Sequence, residues 1–231
     1  MSAVPAPDLP EGQPDGRPRA LPRRDPEARA RLLEVARHTA PLVAARERIV
    51  EVPGPLGALV PAIQRGTVTV VEGEPGAGAT TLALALAGAV SRGGEWVAAV
   101  DPDGSLGGLA LAEAGIAPER CAVVRRVPPD RWALVVAALL DGVALVVADP
   151  PPQVRAADAR RLVSRARARA AMLVVTGPWP ADAALRLHAE ASAWPGLGAG
   201  SGTLGPATVR ARLESRRGTR RAALDPLALG A

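Results

Sequence analysis

The stretch Gly73-Glu74-Pro75-Gly76-Ala77-Gly78-Ala79-Thr80-Thr81 decides the fold of this chain. It follows an apolar, β-branched run at residues 68–71 and precedes a helix-prone segment at residues 82–90. A strand, a glycine-rich loop and a helix in this order are typical of a phosphate-binding loop, in which backbone N–H groups and the positive end of the helix dipole face an anion. The sequence therefore predicts a phosphate-binding loop whose helix begins near Thr80.

The loop lacks the lysine that such loops use. The usual pattern is glycine, four residues, glycine, lysine and then serine or threonine, whereas Gly78 is followed here by Ala79 and Thr80. No lysine occurs in the chain, because all 28 basic residues are arginine. A hydrogen bond to a charged group contributes about 1.5–3 kcal/mol, so we expect ATP and Mg²⁺ to bind weakly, if they bind at all. Hydrolysis should suffer more, because the lysine neutralises charge on the transferring phosphoryl group. The vestigial nucleotide site comprises Gly73, Glu74, Pro75, Gly76, Ala77, Gly78, Ala79, Thr80 and Thr81.

Two aspartates are the candidate catalytic residues. Asp149 ends the apolar run at residues 145–148, and this pattern is typical of a carboxylate that holds magnesium opposite the loop threonine, Thr80. Asp103 follows the run at residues 96–100, and it either caps a helix beginning near Leu106, which we favour, or orients water near a γ-phosphate. His38 and His188 stand alone in the sequence, so no metal cluster is predicted.

Apolar strands alternate with helical segments through the middle of the chain, and this rhythm is typical of βαβ units with a parallel sheet covered on both faces. We therefore predict an α/β fold with a mostly parallel central sheet, closed at one edge by an antiparallel meander. Strands are expected at residues 49–52, 68–71, 96–100, 122–125, 145–148 and 173–176. Helices are expected at residues 56–63, 82–90, 106–114, 131–140 and 154–170, and the meander strands at residues 185–192, 207–214 and 220–224.

The chain is predicted to have three parts. Residues 1–24 are rich in proline and poor in large apolar side chains, so they form a disordered arm that is dispensable for folding. Residues 25–47 contain an amphipathic helix with Asp25 as its N-cap and Pro26 at its first position. Residues 48–231 form the globular domain, and the 48% hydrophobic content of the chain is ample for its core.

The composition also indicates the cellular compartment and the distribution of charge along the chain. The single cysteine, Cys121, is more typical of a core residue than of a reactive one, and it fits a cytoplasmic protein, as does the lack of long apolar segments. The net charge of +5 is uneven, because residues 154–231 hold most of the excess arginine. This excess predicts either a weak, non-specific DNA surface, a surface for a protein partner, or a solvated face of arginine-rich coding. The candidate surface residues are Arg210, Arg212, Arg216, Arg217, Arg220 and Arg221, together with the outer arginines of the helix at residues 154–170.

The loop, Asp101-Pro102-Asp103 and Asp149 occur in the order of the RecA-like ATPase core, and the chain resembles that core. It is more similar still to the actinobacterial ImuA family of RecA-related proteins. Arg65-Gly66, residues 73–84, residues 135–143, residues 157–169 and Trp194-Pro195-Gly196-Leu197-Gly198 carry this resemblance. The resemblance implies a RecA-like three-layer fold and an accessory role in DNA-damage-induced translesion synthesis, beside the Y-family polymerase homologue ImuB and a C-family DNA polymerase. RecA itself is a further candidate partner, and a homo-oligomer is a candidate state that the sequence does not decide.

The departures from RecA shape the functional expectation. The segments after Asp149 and Thr176 leave little room for the two glycine-rich loops with which recombinases hold single-stranded DNA, and position 103 carries aspartate where a recombinase carries glutamate. We therefore expect a non-catalytic adaptor. The alternative is an active RecA-like ATPase that regulates recombination or DNA partitioning, with an arginine from a neighbouring subunit in place of the lysine.

Overall fold

The computed structural model describes residues 48–193, 196, 203, 208–215 and 218–229. These residues all lie within one compact unit, Ala44–Ala231. The predicted arm at residues 1–24 and the helix at residues 25–47 lie outside the described residues. The strands are β1 (Ile49–Glu51), β2 (Ala62–Gln64), β3 (Val68–Gly73), β4 (Val97–Asp101), β5 (Cys121–Arg125), β6 (Leu145–Ala148), β7 (Met172–Thr176), β8 (Leu185–Ala193), β9 (Thr208–Ser215) and β10 (Gly218–Leu224). The α-helices are α1 (Gly54–Leu59), α2 (Ala79–Arg92), α3 (Gly108–Glu113), α4 (Trp132–Leu140) and α5 (Ala156–Arg169).

The central sheet has eight strands in the order β10, β9, β8, β3, β7, β6, β4, β5, while β1 and β2 form a separate antiparallel pair. All neighbours from β8 to β5 are parallel, whereas β9 is antiparallel to both of its neighbours, β8 and β10. The α/β fold, its mostly parallel sheet and the antiparallel strands at its far edge are therefore confirmed. Strand β8 takes part in both patterns, because it pairs parallel with β3 and antiparallel with β9.

The two faces of the sheet carry separate hydrophobic clusters. Alternate residues of each strand point to opposite faces, so Leu145 and Val147 of β6 join one cluster while Val146 and Ala148 join the other. Helices α1, α2 and α3 pack on the first face, and α4 and α5 pack on the second. The central strands are buried on both sides, which explains why they read as continuous apolar runs in the sequence.

Three local predictions were wrong. The helix expected at residues 56–63 ends at Leu59, because Pro61 cannot donate a helical hydrogen bond and residues from Ala62 onward pair with β1. The helix expected from Leu106 begins at Gly108. Ala170, the last residue of the helix expected at residues 154–170, lies outside α5 as its exposed C-cap, with a φ of 52°.

No helix of the described residues is both long and apolar enough to span a lipid bilayer.

Candidate functional site

The predicted phosphate-binding loop is formed between β3 and α2. Gly76 and Gly78 have φ values of 81° and 100°, in the left-handed region that glycine adopts without strain. Gly78 is the N-cap of the 14-residue helix α2, and no side chain caps that end. Because the first N–H groups of a helix have no partner within it, those of Ala79, Thr80 and Thr81 are available to an anion. The backbone of the loop therefore retains the geometry of a phosphate cradle.

Gly73, the first glycine of the loop, lies tightly against the neighbouring strand β8. A Cβ atom at this position would lie 2.8 Å from the backbone oxygen of Ala189 and 2.9 Å from its Cβ atom. Contacts this short are not tolerated between such atoms, so any side chain here would push the loop away from β8. This glycine is therefore required by the packing of β3 against β8, whatever the loop binds.

A cavity of about 1070 Å³ opens at the carboxyl ends of the strands and contains the loop. One wall is apolar and includes Leu84, Leu106, Val209 and Leu229. The described residues that line the cavity include no basic side chain. An anion that enters would therefore meet only the loop N–H groups and the helix dipole as positive partners on those walls. The lining carboxylates are Glu74, Asp101, Asp103, Glu113 and Asp149.

Asp101, rather than Asp103, holds the segment that follows β4. The Asp101 side chain is 3% exposed, and its oxygens accept hydrogen bonds from the backbone N–H groups of Ser105 and Leu106, both at 3.0 Å. Arg125 Nε lies 3.5 Å from Asp101 Oδ2. The prediction that Asp103 caps the helix near Leu106 is wrong, because that helix begins later, its N-cap is Gly107 and no side chain bonds to its end. Asp103 instead lies exposed at the cavity wall.

Asp149 lies at the end of β6 and faces the cavity, as the sequence predicted. Its Oδ1 atom accepts a hydrogen bond of 3.1 Å from the hydroxyl of Thr176, at the end of the adjacent strand β7. Burial raises the pKa of the Asp149 carboxyl, the Thr176 hydrogen bond lowers this pKa, and the negative charges of Asp103 and Asp101 raise it further. The hydroxyl of Thr176 therefore stabilises the ionised form of Asp149 in part, while the pKa of this carboxyl remains raised.

Thr80 and Asp149, the residues predicted to hold magnesium, both line the cavity. Among the described residues, no three His, Cys, Asp or Glu side chains are grouped so that they could hold a metal ion by themselves. Any magnesium here would consequently take part of its coordination from water and from a phosphate, as this ion commonly does. The donor set is compatible with a metal–phosphate complex but does not form a closed metal site.

The arginines predicted to form one basic surface are divided between two faces of the sheet. Val209, Ala211 and Leu213 of β9 belong to the first hydrophobic cluster, so Arg210 and Arg212 point to the opposite face. Register places Arg221 opposite Arg212, and Arg220 opposite Leu213. Arg220 is therefore on the other face from Arg210, Arg212 and Arg221, and the prediction of a single surface is wrong for it. Arg216 and Arg217 lie outside the described residues.

Arg186, Arg212 and Arg221 on this sheet face are paired with carboxylates. Arg212 Nε lies 3.0 Å from Glu190 Oε1, and its Nη1 donates to Glu214 Oε1. Arg221 Nε also lies 3.4 Å from Glu190 Oε1. Arg186 Nη1 donates to Glu72 Oε1 at 3.2 Å, and His188 lies between Glu72 and Glu214. These ion pairs neutralise most of the positive charge on this face, so the face carries both basic and acidic side chains rather than a basic patch.

Helix α5 carries the more strongly basic surface. Its outward arginines are exposed, as predicted, while Ala159, Leu162 and Ala166 are buried against the sheet. Arg165 and Arg169 share the carboxylate of Asp141, whose pKa is lowered chiefly by the hydrogen bond from Arg165. The outward arginines are Arg160, Arg161, Arg165, Arg167 and Arg169.

Cys121 starts β5 and is half-buried. Burial raises the pKa of its thiol, which disfavours the reactive thiolate at neutral pH. This agrees with a structural role in β5 rather than a nucleophilic one. The segment Trp194-Pro195-Gly196-Leu197-Gly198, which carries part of the resemblance, lies outside the described residues apart from Gly196.

Sequence reasoning missed Thr176 and the role of Asp101. Both follow directly from a parallel sheet, because the carboxyl ends of β4, β6 and β7 meet at the edge where the loop lies. A polar residue that ends any apolar run in such a sheet is a candidate for the site, and Thr176 ends the run before Gly177. Asp101 could be recognised as a loop-holding residue only once the partners of its two oxygens were known.

Comparison with protein-family models gives a match to the MT3502 N-terminal domain over residues 58–181, which is more than half of the chain. The matched region contains strands β3 to β7 and every carboxylate of the cavity, and it ends before the antiparallel strands. A search of curated proteins found none that matches the chain.

Proposed function

The chain belongs to the MT3502 N-terminal domain family, and from its sequence resemblance to the ImuA family we propose that it is a RecA-like accessory protein of DNA-damage-induced translesion synthesis. In this proposal it acts as a non-catalytic adaptor between the ImuB-type Y-family polymerase homologue and a C-family DNA polymerase. The proposal includes a three-layer RecA-like fold, which is one specific type of the α/β architecture described above. The polymerase partners follow from the sequence resemblance alone.

One observation carries the non-catalytic part of this proposal. The loop has the backbone geometry of a phosphate cradle, but Ala79 stands where the phosphate cation is needed, and the described cavity walls carry five carboxylates and no basic side chain. Charge that develops on a transferring phosphoryl group would be stabilised only by N–H groups and by any bound magnesium. The carboxylates of the cavity walls would raise the energy of this developing negative charge. A site of this kind supports adaptor function better than rapid ATP turnover.

The connections at the cavity support an adaptor rather than a filament-forming recombinase. Only residues 149–155, including Pro150-Pro151-Pro152, connect β6 to α5, and only residues 177–184 connect β7 to β8. Gly177 N–H is bonded to Val71 O at 2.9 Å, and Ala184 N–H to Val68 O at 2.8 Å, so both ends of the second connection are fixed to β3. Neither segment has the length or freedom to wrap single-stranded DNA.

The first experiment tests catalysis. We expect ATP turnover by the purified protein to equal that of a Thr80→Ala/Asp149→Ala variant, with and without single-stranded DNA, because neither side chain can compensate for the missing cation. Ser164→Ala, an exposed substitution on α5, serves as the matched control for handling. DNA-stimulated turnover that the double variant loses would overturn the adaptor proposal and support the RecA-like ATPase with an arginine supplied in trans.

The second experiment tests the cellular role. A tagged chain recovered from cells after DNA damage should bring with it the ImuB-type homologue and the C-family polymerase. The Thr80→Ala/Asp149→Ala variant should restore damage-induced mutation frequency in a deletion strain as fully as the natural chain. Recovery of neither polymerase, together with an unchanged mutation frequency in the deletion strain, would remove the translesion role from consideration.

A further inference from the structure

Helix α4 is apolar on its outward face as well as on the face that packs against the sheet. It contains no charged residue, and Trp132, Val136 and Leu140, spaced by four, are its buried residues. Leu134 is 63% exposed, and Ala138, one turn later, is also exposed. A helix that is apolar all round is normally buried on all sides, whereas a single exposed leucine is common on protein surfaces. The meaning of this outward stripe therefore depends on what lies beside it.

The outward stripe of α4 meets α5 at Asp141. This residue is the C-cap of α4 and has helical φ and ψ values of −80° and −23°, so Leu134, Ala138 and Asp141 lie on one face at positions i, i+4 and i+7. The Asp141 carboxylate accepts hydrogen bonds from Arg165 Nε at 2.8 Å and from Arg169 Nε at 3.0 Å. The two helices therefore lie side by side, and the apolar stripe of α4 is next to arginines of α5.

A stripe of arginines on α5 runs beside the apolar stripe. Arg161, Arg165 and Arg169 are spaced by four residues, so they lie on one face of α5. Helices α4 and α5 run in the same direction, because each connects two strands of the parallel part of the sheet. At a rise of about 1.5 Å per residue, Arg161 lies at about the level of Ala138. The surface thus has an apolar strip and a basic strip that run alongside each other.

The charge of these outward faces is positive. Five exposed arginines of α5 contact only two carboxylates among the described residues, those of Asp141 and of Asp158, which lies 3.5 Å from Arg161. A second copy of the chain would present the same excess of positive charge, which disfavours its docking here. DNA phosphates could pair with the arginines but offer no apolar partner to Leu134. A helix whose apolar face is flanked by carboxylates matches both strips.

We propose that the α4–α5 surface, defined by Leu134, Ala138, Arg161 and Arg165, binds an acidic amphipathic helix of a partner protein. Leu134 and Ala138 contact the apolar face of that helix, and its carboxylates pair with the two arginines. Arg165 can bind the partner as well as Asp141, because a guanidinium group has five N–H donors. The proposal rests on these contacts and charges and does not depend on the proposed function.

A synthetic helix tests the proposal on the full chain. The probe is a fluorescein-labelled peptide of leucine, alanine and glutamate, about 20 residues long so that it is helical in water, with leucines along one face and glutamates beside them. The control peptide carries lysine in place of every glutamate. Fluorescence anisotropy should show that the glutamate peptide binds at least about tenfold more tightly than the lysine peptide.

Variants of the surface show where the peptide binds. Leu134→Gln and Arg161→Gln/Arg165→Gln should each weaken binding of the glutamate peptide about tenfold, because each removes one of the two kinds of contact. The matched controls are Leu109→Gln, an exposed leucine of α3 on the other face of the sheet, and Arg220→Gln, an exposed arginine of β10. Both should leave the affinity unchanged. Urea unfolding checks that every variant is folded, since exposed substitutions change stability little.

Disulfide trapping provides a second measurement. A glutamate peptide with one cysteine on its leucine face should form a mixed disulfide about tenfold faster with Cys121→Ser/Ala138→Cys than with Cys121→Ser/Leu109→Cys, because only the first thiol lies on the α4–α5 surface. Equal rates, equal affinity for the two peptides, or peptide binding that Leu134→Gln does not weaken would each overturn the proposal. Binding of oligothymidylate that Leu134→Gln weakens to the same extent would also overturn it, since the surface would then bind single-stranded DNA.

Discussion

Thr176 Oγ1 donates a hydrogen bond to Asp149 Oδ1 at 3.1 Å, and this bond connects the ends of adjacent strands β7 and β6 at the cavity floor. It favours the ionised form of a carboxyl whose pKa is otherwise raised by burial. The pKa of Asp149 therefore depends in part on the Thr176 side chain of the neighbouring strand.

Removal of this hydroxyl should raise the pKa of Asp149 further. Thr176→Val keeps the shape of the side chain but leaves the Asp149 carboxylate without its donor, so the ionised form loses stability. Carboxyl carbon chemical shifts followed by NMR across a pH titration measure the change. Thr67→Val, which removes a hydroxyl bonded to Gln64 O at 2.6 Å just before β3, at the end of that strand opposite the loop, is the matched control. A lower pKa in Thr176→Val would contradict the assignment.

The raised pKa of Asp149 also predicts a pH dependence of stability. A carboxyl with a raised folded-state pKa contributes stability below its unfolded value, near pH 4, and loses this contribution as the pH rises through the folded-state pKa. Asp149→Asn removes the titration and should melt at the same temperature as the natural chain at low pH but about 1 °C higher at neutral pH, a small effect because the carboxyl is only partly desolvated. Scanning calorimetry at both pH values measures the difference in melting temperature between Asp149→Asn and the natural chain. Equal melting temperatures throughout would show that burial of this carboxyl costs nothing.

Asp101 should matter far more for stability than Asp103. Asp101→Ala would leave the N–H groups of Ser105 and Leu106 without their acceptor and Arg125 without its ion pair, which we expect to destabilise the fold by about 2–4 kcal/mol. Asp103→Ala, two residues away and exposed, should cost about 0.5 kcal/mol or less. Urea unfolding of the two variants provides the comparison. Similar destabilisation by both variants would return Asp103 to the capping role that the sequence suggested.

Restoring the cation should restore part of the phosphate affinity. Ala79→Lys places an ammonium at the loop whose N–H groups already face the cavity, so nucleoside triphosphate with Mg²⁺ should bind about tenfold to a hundredfold more tightly than to the natural chain. Isothermal titration calorimetry measures this difference, and Ala77→Lys, within the same loop but at a buried position, is the control for added charge alone. An unchanged affinity in Ala79→Lys would mean that the cradle no longer accepts a phosphate.

Any DNA binding should occur along α5 rather than on the paired sheet face. Arg160 and Arg167 are exposed and have no acidic partner among the described residues, whereas Arg212 and Arg221 are engaged by Glu190. Arg160→Glu/Arg167→Glu should reduce the salt dependence of binding by about 0.9 in log–log slope for each phosphate that the helix no longer neutralises. Arg221→Glu should leave the slope unchanged. Fluorescence anisotropy at several salt concentrations distinguishes the two faces.

The central parallel strands β3, β4, β6 and β7 were predictable because they are apolar runs, a composition that burial on both faces favours. Strand β6 at Leu145–Ala148 was predicted to the residue. The predicted bounds of the two short helices were wrong, because a single turn of the chain determines where each of them ends or begins. Pro61 ended α1 early, and α3 began late because Asp101 holds the segment before it in a non-helical path.

The site was predictable only in part, because its members come from strands that are distant in sequence. The loop and Asp149 carry local patterns, so they were found. Thr176 ends an apolar run in the same way but was missed, because its bond to Asp149 depends on β7 lying between β3 and β6 in the sheet. The division of the arginines was missed because the faces of β9 and β10 depend on register, and a shift of one residue exchanges them.

The contact between Gly73 and Ala189 bears on how sequences of this kind are interpreted. Since the glycine is needed to seat β3 against β8, selection for folding alone would retain it after all ligand binding had ceased. A glycine motif can therefore persist because packing requires it, even where the loop binds no ligand. The position that bears on phosphate binding is instead Ala79, where the usual pattern of such loops has a lysine.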